Sequence, residues 1–391
     1  MEKNKLNILM GNDSFYPVVD GVTEAMHNYL IQLSKWNNVA ALAPYVRKYK
    51  DNLPYKVYRC KSMYLPIYND RYAVPNKDKK LKEELLSKDI DIIHVHSPFA
   101  ICRFATQIAR KKHIPIVATF HTKYRYEFKA RLKSEAFTEY FMKKIGRTLN
   151  KIDMVFVANE TLVEELRSYG YKGKVSVVPL GTDFKPNSDS EELTRLANKT
   201  YSLKDDEFVF LFVGRIVKVK NIGFTLKALS IVKKKNPNFK FLLAGDGEQL
   251  DELKELAEKL GLADNVKFLG FKSREDLPML YSRTDLLLFP STFDTFGLVK
   301  LEAASFNTAT LAVENSCVSY GIIDGENGFT VKESIRDYAR KLINIMNDKS
   351  KLKEVGKRAG ETLYSNWEIS AKKLQEKYYE IIEDNRNKRK L

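Results

Sequence analysis

Short apolar runs alternate with helical patterns along almost the whole chain, and this alternation constrains the fold more than any other feature. Runs such as Phe208–Val213 and Phe239–Ala244 are almost continuously apolar, and each precedes a stretch with helical spacing. Strands that are covered by helices on both faces have this composition. We therefore predict an α/β fold in which two doubly wound, Rossmann-like domains face a central cleft.

The alternation is interrupted at 179–186, a stretch punctuated by Gly and Pro and followed by polar residues. Such punctuation is typical of a domain boundary. We place an N-terminal domain at 1–184 and a second domain at 185–366. The last hundred residues have helical patterns, and the final helix is predicted to begin at Trp367.

The loop after the first strand of the second domain carries two cations. Gly214 and Arg215 follow that strand directly, and Lys220 comes five residues later. In an open parallel sheet, ligands bind at the carboxyl ends of the strands. Two fixed cations beside a glycine suit a diphosphate, whose negative charge grows as it leaves. Taken alone, two basic residues in such a loop are equally consistent with an ordinary exposed loop.

A second loop on the same edge, within 290–302, joins an apolar strand to a predicted helix. The helix opens at Phe296, Gly297 and Leu298, where free backbone N–H groups suit a diphosphate. Asp294 precedes this start and can reach a sugar, whereas Glu302 lies about one turn inside the helix and can accept from ribose hydroxyls. Alone, the spacing also fits a solvated Asp and a surface Glu. Combined with the first loop, it predicts a nucleotide-sugar site.

Composition excludes several kinds of site. The three cysteines, Cys60, Cys102 and Cys317, have neither a paired count nor close spacing, so no disulfide framework and no zinc site is predicted. The segment 89–91 (Asp-Ile-Asp) resembles a metal motif but precedes its strand, which places it at the edge away from ligands. We predict no metal and no cofactor.

The net charge of +16 is concentrated in the first half, where residues 1–184 hold 31 Lys and Arg against 19 Asp and Glu. The stretch 123–151 carries nine basic and three acidic side chains interleaved with Tyr and Phe. This mixture fits an anionic membrane or a polyanion, and it fits a solvated helix face equally well. No zinc-finger, RNA-recognition or helix-turn-helix signature appears, so nucleic acid is not a predicted partner.

The N-terminus leads directly into a short strand and lacks the apolar region of a signal peptide. No run approaches the roughly 18 apolar residues that a membrane span needs. We expect a cytoplasmic protein, and the basic stretch also suits peripheral contact with the inner face of the plasma membrane.

Seven short motifs are distributed along both halves of the chain. In the second half they are Gly214-Arg215 with Lys220, 244–247 (Ala-Gly-Asp-Gly), and 293–298 with Glu302; in the first half they are 15–17 (Phe-Tyr-Pro), 20–22 (Asp-Gly-Val), 94–98 (His-Val-His-Ser-Pro) and 119–122 (Thr-Phe-His-Thr). This combination resembles the retaining family 4 glycosyltransferases with the GT-B fold. The resemblance covers nearly the whole chain, and it implies that the helix at about 367–391 completes the N-terminal domain.

The resemblance implies that the N-terminal domain binds an acceptor and the second domain a nucleotide-sugar donor. It assigns catalytic positions to His121 and Asp294. It assigns donor binding to Gly21, Gly214, Arg215, Lys220, Gly245, Phe296, Gly297, Leu298 and Glu302. Within that set, Arg215 and Lys220 would bind the diphosphate, Glu302 the ribose and Asp294 the sugar.

Two residues depart from the family's pattern. Asp294 stands where the usual residue is Glu and is one methylene shorter, and Asp20 stands where many members have Gly. Family members keep the anomeric configuration without a metal, by transfer from the face on which the diphosphate leaves. The absence of an obvious carboxylate pair of the kind that hydrolases use agrees with this mechanism.

We therefore predict a hexosyltransferase that uses a nucleotide diphosphate sugar, with UDP-glucose as the expected donor. The basic first half favours a lipid acceptor such as diacylglycerol, and a polysaccharide or lipid-linked glycan fits the same charge. Two alternatives stay open: a nucleotide-sugar epimerase, and a catalytically silent accessory subunit that binds a partner glycosyltransferase.

Overall fold

The computed structural model describes residues 5–65, 70–186 and 190–389, and the chain divides into two compact units. The first unit takes in the chain up to Leu180 and the segment from Trp367 onward, and the second runs from Gly181 to Asn366. Each unit is built around one parallel sheet.

In the first unit the described strands are β1 (Asn7–Gly11), β2 (Asn38–Pro44), β3 (Lys56–Cys60), β4 (Ser62–Leu65), β5 (Asp70–Ala73), β6 (Ile92–Val95), β7 (Ile116–Phe120), β8 (Met154–Val157) and β9 (Lys174–Val177). The order in the parallel sheet is β3-β2-β1-β6-β7-β8-β9, and β4 pairs with β5 in antiparallel orientation. The order reverses between β1 and β6, which is where ligands bind in doubly wound sheets.

The helices of this unit are α1 (Gly21–Leu33), α2 (Lys79–Ser87), α3 (Ala100–Lys112), α4 (Tyr124–Leu132), α5 (Glu135–Leu149), α6 (Thr161–Ser168) and, from the end of the chain, α14 (Trp367–Lys388). Contacts with α1 tie α14 to the first unit. The Trp367 ring meets Tyr29 edge-on with centroids 5.2 Å apart, and the Tyr29 and Ser370 hydroxyls are hydrogen-bonded at 2.8 Å.

The second unit contains the strands β10 (Phe208–Val213), β11 (Phe239–Ala244), β12 (Val266–Gly270), β13 (Leu286–Phe289), β14 (Ala309–Val313) and β15 (Phe329–Val331), in the sheet order β12-β11-β10-β13-β14-β15. Its helices are α7 (Ser190–Tyr201), α8 (Ile222–Lys233), α9 (Leu250–Lys259), α10 (Leu277–Arg283), α11 (Leu298–Ser305), α12 (Ile335–Asn347) and α13 (Lys349–Thr362). All of the pairings described in this sheet are parallel.

Strand β10 shows why the apolar runs are continuous. Its residues alternate between two apolar clusters, with Phe208, Phe210 and Phe212 in one and the intervening Val209 and Leu211 in the other. Because successive side chains point to opposite faces and both faces are covered, every position must be apolar. The predicted α/β class with two Rossmann-like sheets is confirmed.

Candidate active site

The loops that follow β10 and β11 lie side by side at the carboxyl edge of the second sheet. The N–H of Gly214 donates to the carbonyl of Ala244 at 3.0 Å, and that of Ile216 donates to Asp246 at 2.8 Å. A Cβ atom on Gly245 would lie 1.8 Å from the Gly214 carbonyl oxygen. Glycine at 245 is thus required for the two loops to meet, whatever it contributes to a ligand.

The two cations predicted to bind a diphosphate have different surroundings. The Arg215 side chain is exposed and makes no hydrogen bond or ion pair with any residue that the structure describes. Lys220 donates to both carboxylate oxygens of Asp294, at 2.6 and 2.8 Å, and its Nζ lies 5.1 Å from the centre of the Phe289 ring. One cation is therefore free, and the other is fixed beside the carboxylate predicted to contact the sugar.

Helix α11 starts where the sequence predicted. Its first residue is Leu298, and Gly297 precedes it with φ of 75°, a left-handed conformation that favours glycine. Phe296, just before this turn, is buried. The first N–H groups of a helix have no partners within the helix, so this turn presents donors at the carboxyl edge of the sheet.

Glu302 lies in the second turn of α11 and is almost fully buried, with 4% of its surface exposed. Its Oε1 accepts from Arg274 at 2.6 Å, and its Oε2 accepts from the Tyr281 hydroxyl at 2.7 Å. Arg274 also pairs with Asp183 and lies over the Phe184 ring, 4.2 Å from its centre. Burial, reinforced by Glu302, raises the pKa of Tyr281 well above its usual value, so the hydroxyl stays a donor.

Sequence reasoning missed Arg274 and Tyr281. They lie 28 and 21 residues from Glu302, and neither stands in a motif that predicts a site. It also missed Lys300, which is buried and donates to the carbonyls of Val318 at 2.7 Å and Tyr320 at 2.6 Å. Burial lowers the pKa of Lys300 to about 8.

His121 follows β7 at the carboxyl edge of the first sheet, beside His96, which follows β6. Nε2 of His121 lies 2.8 Å from Nδ1 of His96, and the two rings are stacked with centroids 5.1 Å apart. Burial lowers the pKa of His121 to about 4, against a weaker opposing effect of Asp20. At neutral pH the His121 ring is therefore uncharged.

Gly21, predicted to bind the donor, is the first residue of α1. The N–H groups of Val22 and Thr23 both donate to the carboxylate of Asp20, at 3.0 and 2.7 Å. Asp20 therefore caps this helix. An anion at Gly21 would have to share these donors with a carboxylate, which is the structural consequence of having Asp20 where many family members have Gly.

The predicted site residues thus form two groups. In the second unit, the loops after β10, β11 and β13 and the start of α11 lie at one sheet edge and carry Gly214, Arg215, Lys220, Gly245, Asp294, Phe296, Gly297, Leu298 and Glu302. In the first unit, Gly21 and His121 lie at the other sheet's carboxyl edge. Within the described ranges, no three His, Cys, Asp or Glu side chains are grouped so as to hold a metal ion.

Sequence profiles of two glycosyltransferase families match most of the chain. The profile described as Glycosyltransferase Family 4 matches residues 19–185, and the one described as Glycosyl transferases group 1 matches residues 195–362. The alpha-monoglucosyldiacylglycerol synthase of Streptococcus pneumoniae is 26% identical over 98% of this chain and 84% of its own length. The enzyme of that name from Acholeplasma laidlawii is 25% identical over 96% of this chain and 98% of its own length.

Solved structures share the fold. The crystal structure of Anabaena HepE in complex with UDP has a TM-score of 0.77 and 18% sequence identity, and the match covers 96% of this chain and 100% of HepE. Another structure of HepE contains UDP-glucose. With two matching profiles, relatives that align along almost its full length and this shared architecture, the chain belongs to the group 1, family 4 glycosyltransferases, a family of retaining hexosyltransferases with the GT-B fold.

Proposed function

We propose that this glycosyltransferase transfers glucose from UDP-glucose to the hydroxyl group of a diacylglycerol at an anionic membrane surface. The observation that carries the proposal is the alignment, along almost the full chain, with two alpha-monoglucosyldiacylglycerol synthases. The complexes of HepE with UDP and with UDP-glucose support the choice of donor.

The edge of the second sheet has the donors and acceptors that a nucleotide diphosphate requires. Arg215 and Lys220 hold the two phosphates, together with the N–H groups at Gly297 and Leu298. Glu302 accepts from the ribose hydroxyls. Lys220 can donate to a phosphate while it stays paired with Asp294. An ammonium group carries three N–H donors, and the pair keeps some exposure through which a phosphate can reach it.

The reaction then depends mainly on charge and positioning. As the bond from the anomeric carbon to the diphosphate breaks, negative charge grows on the phosphate oxygens, and the cations stabilise it. The acceptor oxygen forms the new bond on the same face, and its proton passes to a phosphate oxygen of the leaving group. Asp294 contacts a sugar hydroxyl and fixes the orientation of the ring in this step.

One surface of the first unit suits the proposed membrane contact. Helix α5 exposes Phe137 (65%) and Tyr140 (56%) beside the cations Lys143, Lys144 and Arg147, and we call these five side chains the α5 surface. Aromatic rings at the headgroup level combined with cations are typical of peripheral binding to anionic lipids. Among the helices that the structure describes, none is both long and apolar enough to cross a bilayer.

The experiment is a matrix of donors and acceptors read by mass spectrometry. The purified protein is incubated with UDP-glucose, UDP-galactose, UDP-N-acetylglucosamine or GDP-mannose, each with diacylglycerol in anionic vesicles, with diacylglycerol in zwitterionic vesicles, or with soluble sugars. We expect a glucosyl-diacylglycerol of retained configuration, formed faster on anionic vesicles. Transfer to a soluble sugar alone would contradict the proposed acceptor.

Samples that contain donor without acceptor test the alternatives. An isomerised sugar nucleotide in these samples would identify an epimerase. Failure of the protein to bind any UDP-sugar in calorimetric titration would favour an accessory subunit without activity of its own.

A further inference from the structure

Three histidine rings lie against one another at the carboxyl edge of the first sheet. His94 belongs to β6, His96 follows it, and His121 follows the neighbouring strand β7. The His94 and His96 rings are stacked with centroids 4.3 Å apart, and the planes of His96 and His121 differ by only 17°. Both His94 and His96 are fully buried.

Both ring nitrogens of His94, the innermost ring, have hydrogen-bond partners. Nδ1 of His94 lies 2.6 Å from the Tyr378 hydroxyl, and its Nε2 lies 2.7 Å from Oγ1 of Thr119. His94 therefore packs against His96 without exchanging a hydrogen bond with it. The hydrogen bond that His96 makes is the one with His121.

The hydrogen bonds select one tautomer of His96. Its Nδ1 and Nε2 of His121 are 2.8 Å apart, so one of these two nitrogens carries the proton between them. Nε2 of His96 is enclosed and has no partner in the described part of the chain. A neutral imidazole has one N–H, and a buried N–H without an acceptor is rarer than an unpaired acceptor. The proton of His96 therefore belongs on Nδ1, which donates to His121.

The tautomer of His121 follows from that of His96. Because Nε2 of His121 accepts, a neutral ring carries its proton on Nδ1. Nδ1 of His121 has no hydrogen-bond partner among the described residues. Unlike Nε2 of His96 it is not fully enclosed, so solvent or a ligand can reach it. Burial keeps the ring neutral, since the pKa of His121 is lowered to about 4.

We propose that His96 is a positioning residue that holds His121 in the Nδ1–H form, so that His121 offers a neutral hydrogen-bond donor to an oxygen of the substrate that binds at the carboxyl edge of the first sheet. The kinetic part of this proposal rests on the proposed function, whereas the tautomer is a property of the protein alone. His121 then donates a hydrogen bond and takes no proton from the acceptor, which leaves a phosphate oxygen as the proton acceptor.

Long-range 1H–15N correlation spectra of protein labelled with 15N-histidine test the tautomer directly. In the wild type at pH 7.5 we expect His121 to show a protonated Nδ1 and a bare Nε2. In His96→Phe the aromatic packing stays but the donor is lost, so the Nε2-protonated form of His121 should become populated. A wild-type His121 that is protonated on Nε2 would overturn the proposal.

Kinetics and a conservative variant separate positioning from folding. We expect kcat to fall at least about tenfold in His96→Phe, because removing one preorganised donor costs roughly 100- to 1,000-fold and the tautomer is only partly lost. In His96→Asn an amide N–H stands where Nδ1 stood, so the Nδ1–H form of His121 and most of kcat should return. An unchanged kcat in His96→Phe, with the tautomer altered, would overturn the positioning role.

His27→Phe is the matched control. His27 is a partly buried histidine of the same unit, but its Nδ1 contacts the Tyr55 hydroxyl at 2.6 Å and not His121. This variant should leave both the His121 spectrum and kcat unchanged. If His96→Phe does not fold, the wild-type and His96→Asn spectra decide the tautomer. If the wild type transfers no sugar, the proposed function fails, and the spectrum of the wild type still decides the tautomer.

Discussion

Both carboxylate oxygens of Glu302 already accept hydrogen bonds within the protein, from Arg274 and Tyr281. Each carboxylate oxygen has two lone pairs, so each can still accept from one ribose hydroxyl. Arg274 also balances a charge that would be costly to bury alone. The pair of donors therefore holds the Glu302 carboxylate in one orientation before a nucleotide binds.

Substitutions at Glu302 and Tyr281 distinguish the role of the carboxylate from that of the hydroxyl group that positions it. In Glu302→Gln one acceptor oxygen becomes a donor, and Arg274 keeps Asp183 but loses the negative charge of Glu302. We therefore expect kcat/KM for the donor to fall by roughly 100-fold or more. Tyr281→Phe removes one positioning hydrogen bond and should cost about 1 kcal/mol, or several-fold, in UDP affinity. Calorimetry with UDP and initial rates measure both.

The control is Glu361→Gln, since Glu361 is an exposed residue paired with Arg358. Wild-type behaviour of Glu302→Gln would remove Glu302 from the site.

Lys300 predicts a pH dependence of the second unit's stability. Burial lowers its pKa to about 8 in the fold, against 10.5 when exposed. Between these values the unfolded state binds more protons, so stability rises as pH rises from 8 to 10.5. The rise is at most about 1.4 kcal/mol per pH unit. Urea unfolding at several pH values should show it in the wild type, and Lys300→Met should lack it.

The control for Lys300 is Lys351→Met, since Lys351 is an exposed residue in a surface ion pair with Glu354. Its pH dependence should follow the wild type. Parallel curves for the wild type and Lys300→Met would show that the ammonium group is not buried.

Local motifs identified the candidate site residues but not the residues that hold them. Arg215, Lys220 and Glu302 stand at loop and helix starts that the sequence predicts, and the structure places them at one sheet edge. Arg274 reaches Glu302 from a loop 28 residues away, and only the tertiary fold creates that contact. The Lys220–Asp294 pair joins residues 74 apart and was equally hidden.

At the scale of elements, the sequence predicts strands well where both faces are buried. Strands β10 and β11 have the predicted bounds, because uninterrupted apolar runs mark them. Strand β3 was missed, because it lies at the sheet edge and only two of its five residues, Tyr58 and Cys60, are buried. Strand β15, with three residues, is too short for a periodic signal.

The paired loops after β10 and β11 depend on Gly245. Gly245→Ala would place a Cβ atom 1.8 Å from a backbone oxygen of the neighbouring loop, at a positive φ of 153°. We expect the loops to separate, with a loss of about 1–3 kcal/mol in stability and weaker UDP binding. Thermal unfolding and calorimetry test this.

Gly223→Ala is the matched control, because this glycine lies in the first turn of α8 and its added Cβ would meet only side-chain atoms, the nearer at 3.5 Å. It should be neutral or stabilising by about 0.5–1 kcal/mol. Equal effects of the two substitutions would contradict the loop contact.

The α5 surface predicts a salt-sensitive affinity for anionic membranes. Each Lys near an anionic leaflet contributes about 1 kcal/mol, so Lys143→Gln with Lys144→Gln should weaken binding to phosphatidylserine vesicles roughly 30-fold. Salt should weaken binding of the wild type as well. Cosedimentation measures both, and Lys353→Gln with Lys357→Gln on α13 removes the same charge elsewhere. An equal loss in the control would indicate that net charge, and not the α5 surface, determines binding.

At the scale of the whole molecule, the two units differ in the chemistry of their titratable groups. All five histidines lie at or before position 121, and residues 181–366 contain none. Three of them form the buried stack of His94, His96 and His121, whereas the candidate donor site in the second unit consists of cations and carboxylates. Mild acid should therefore destabilise the first unit more than the second.

Burial lowers the pKa of His94 and His96 well below the usual value and that of His121 to about 4. Below pH 6.5 the unfolded first unit binds more protons than the folded one, so its stability falls as pH falls from 6.5 toward 4, by at most about 1.4 kcal/mol per pH unit for each histidine.

Hydrogen exchange, corrected for its intrinsic rate, should show β6 and β7 losing protection between pH 7 and 5 while β10 and β11 keep theirs. UDP should raise the protection of β10 and β11, which carry its proposed site. Equal loss in both units would mean that the histidine stack does not govern acid sensitivity, and His96→Phe should lessen the pH dependence of the first unit.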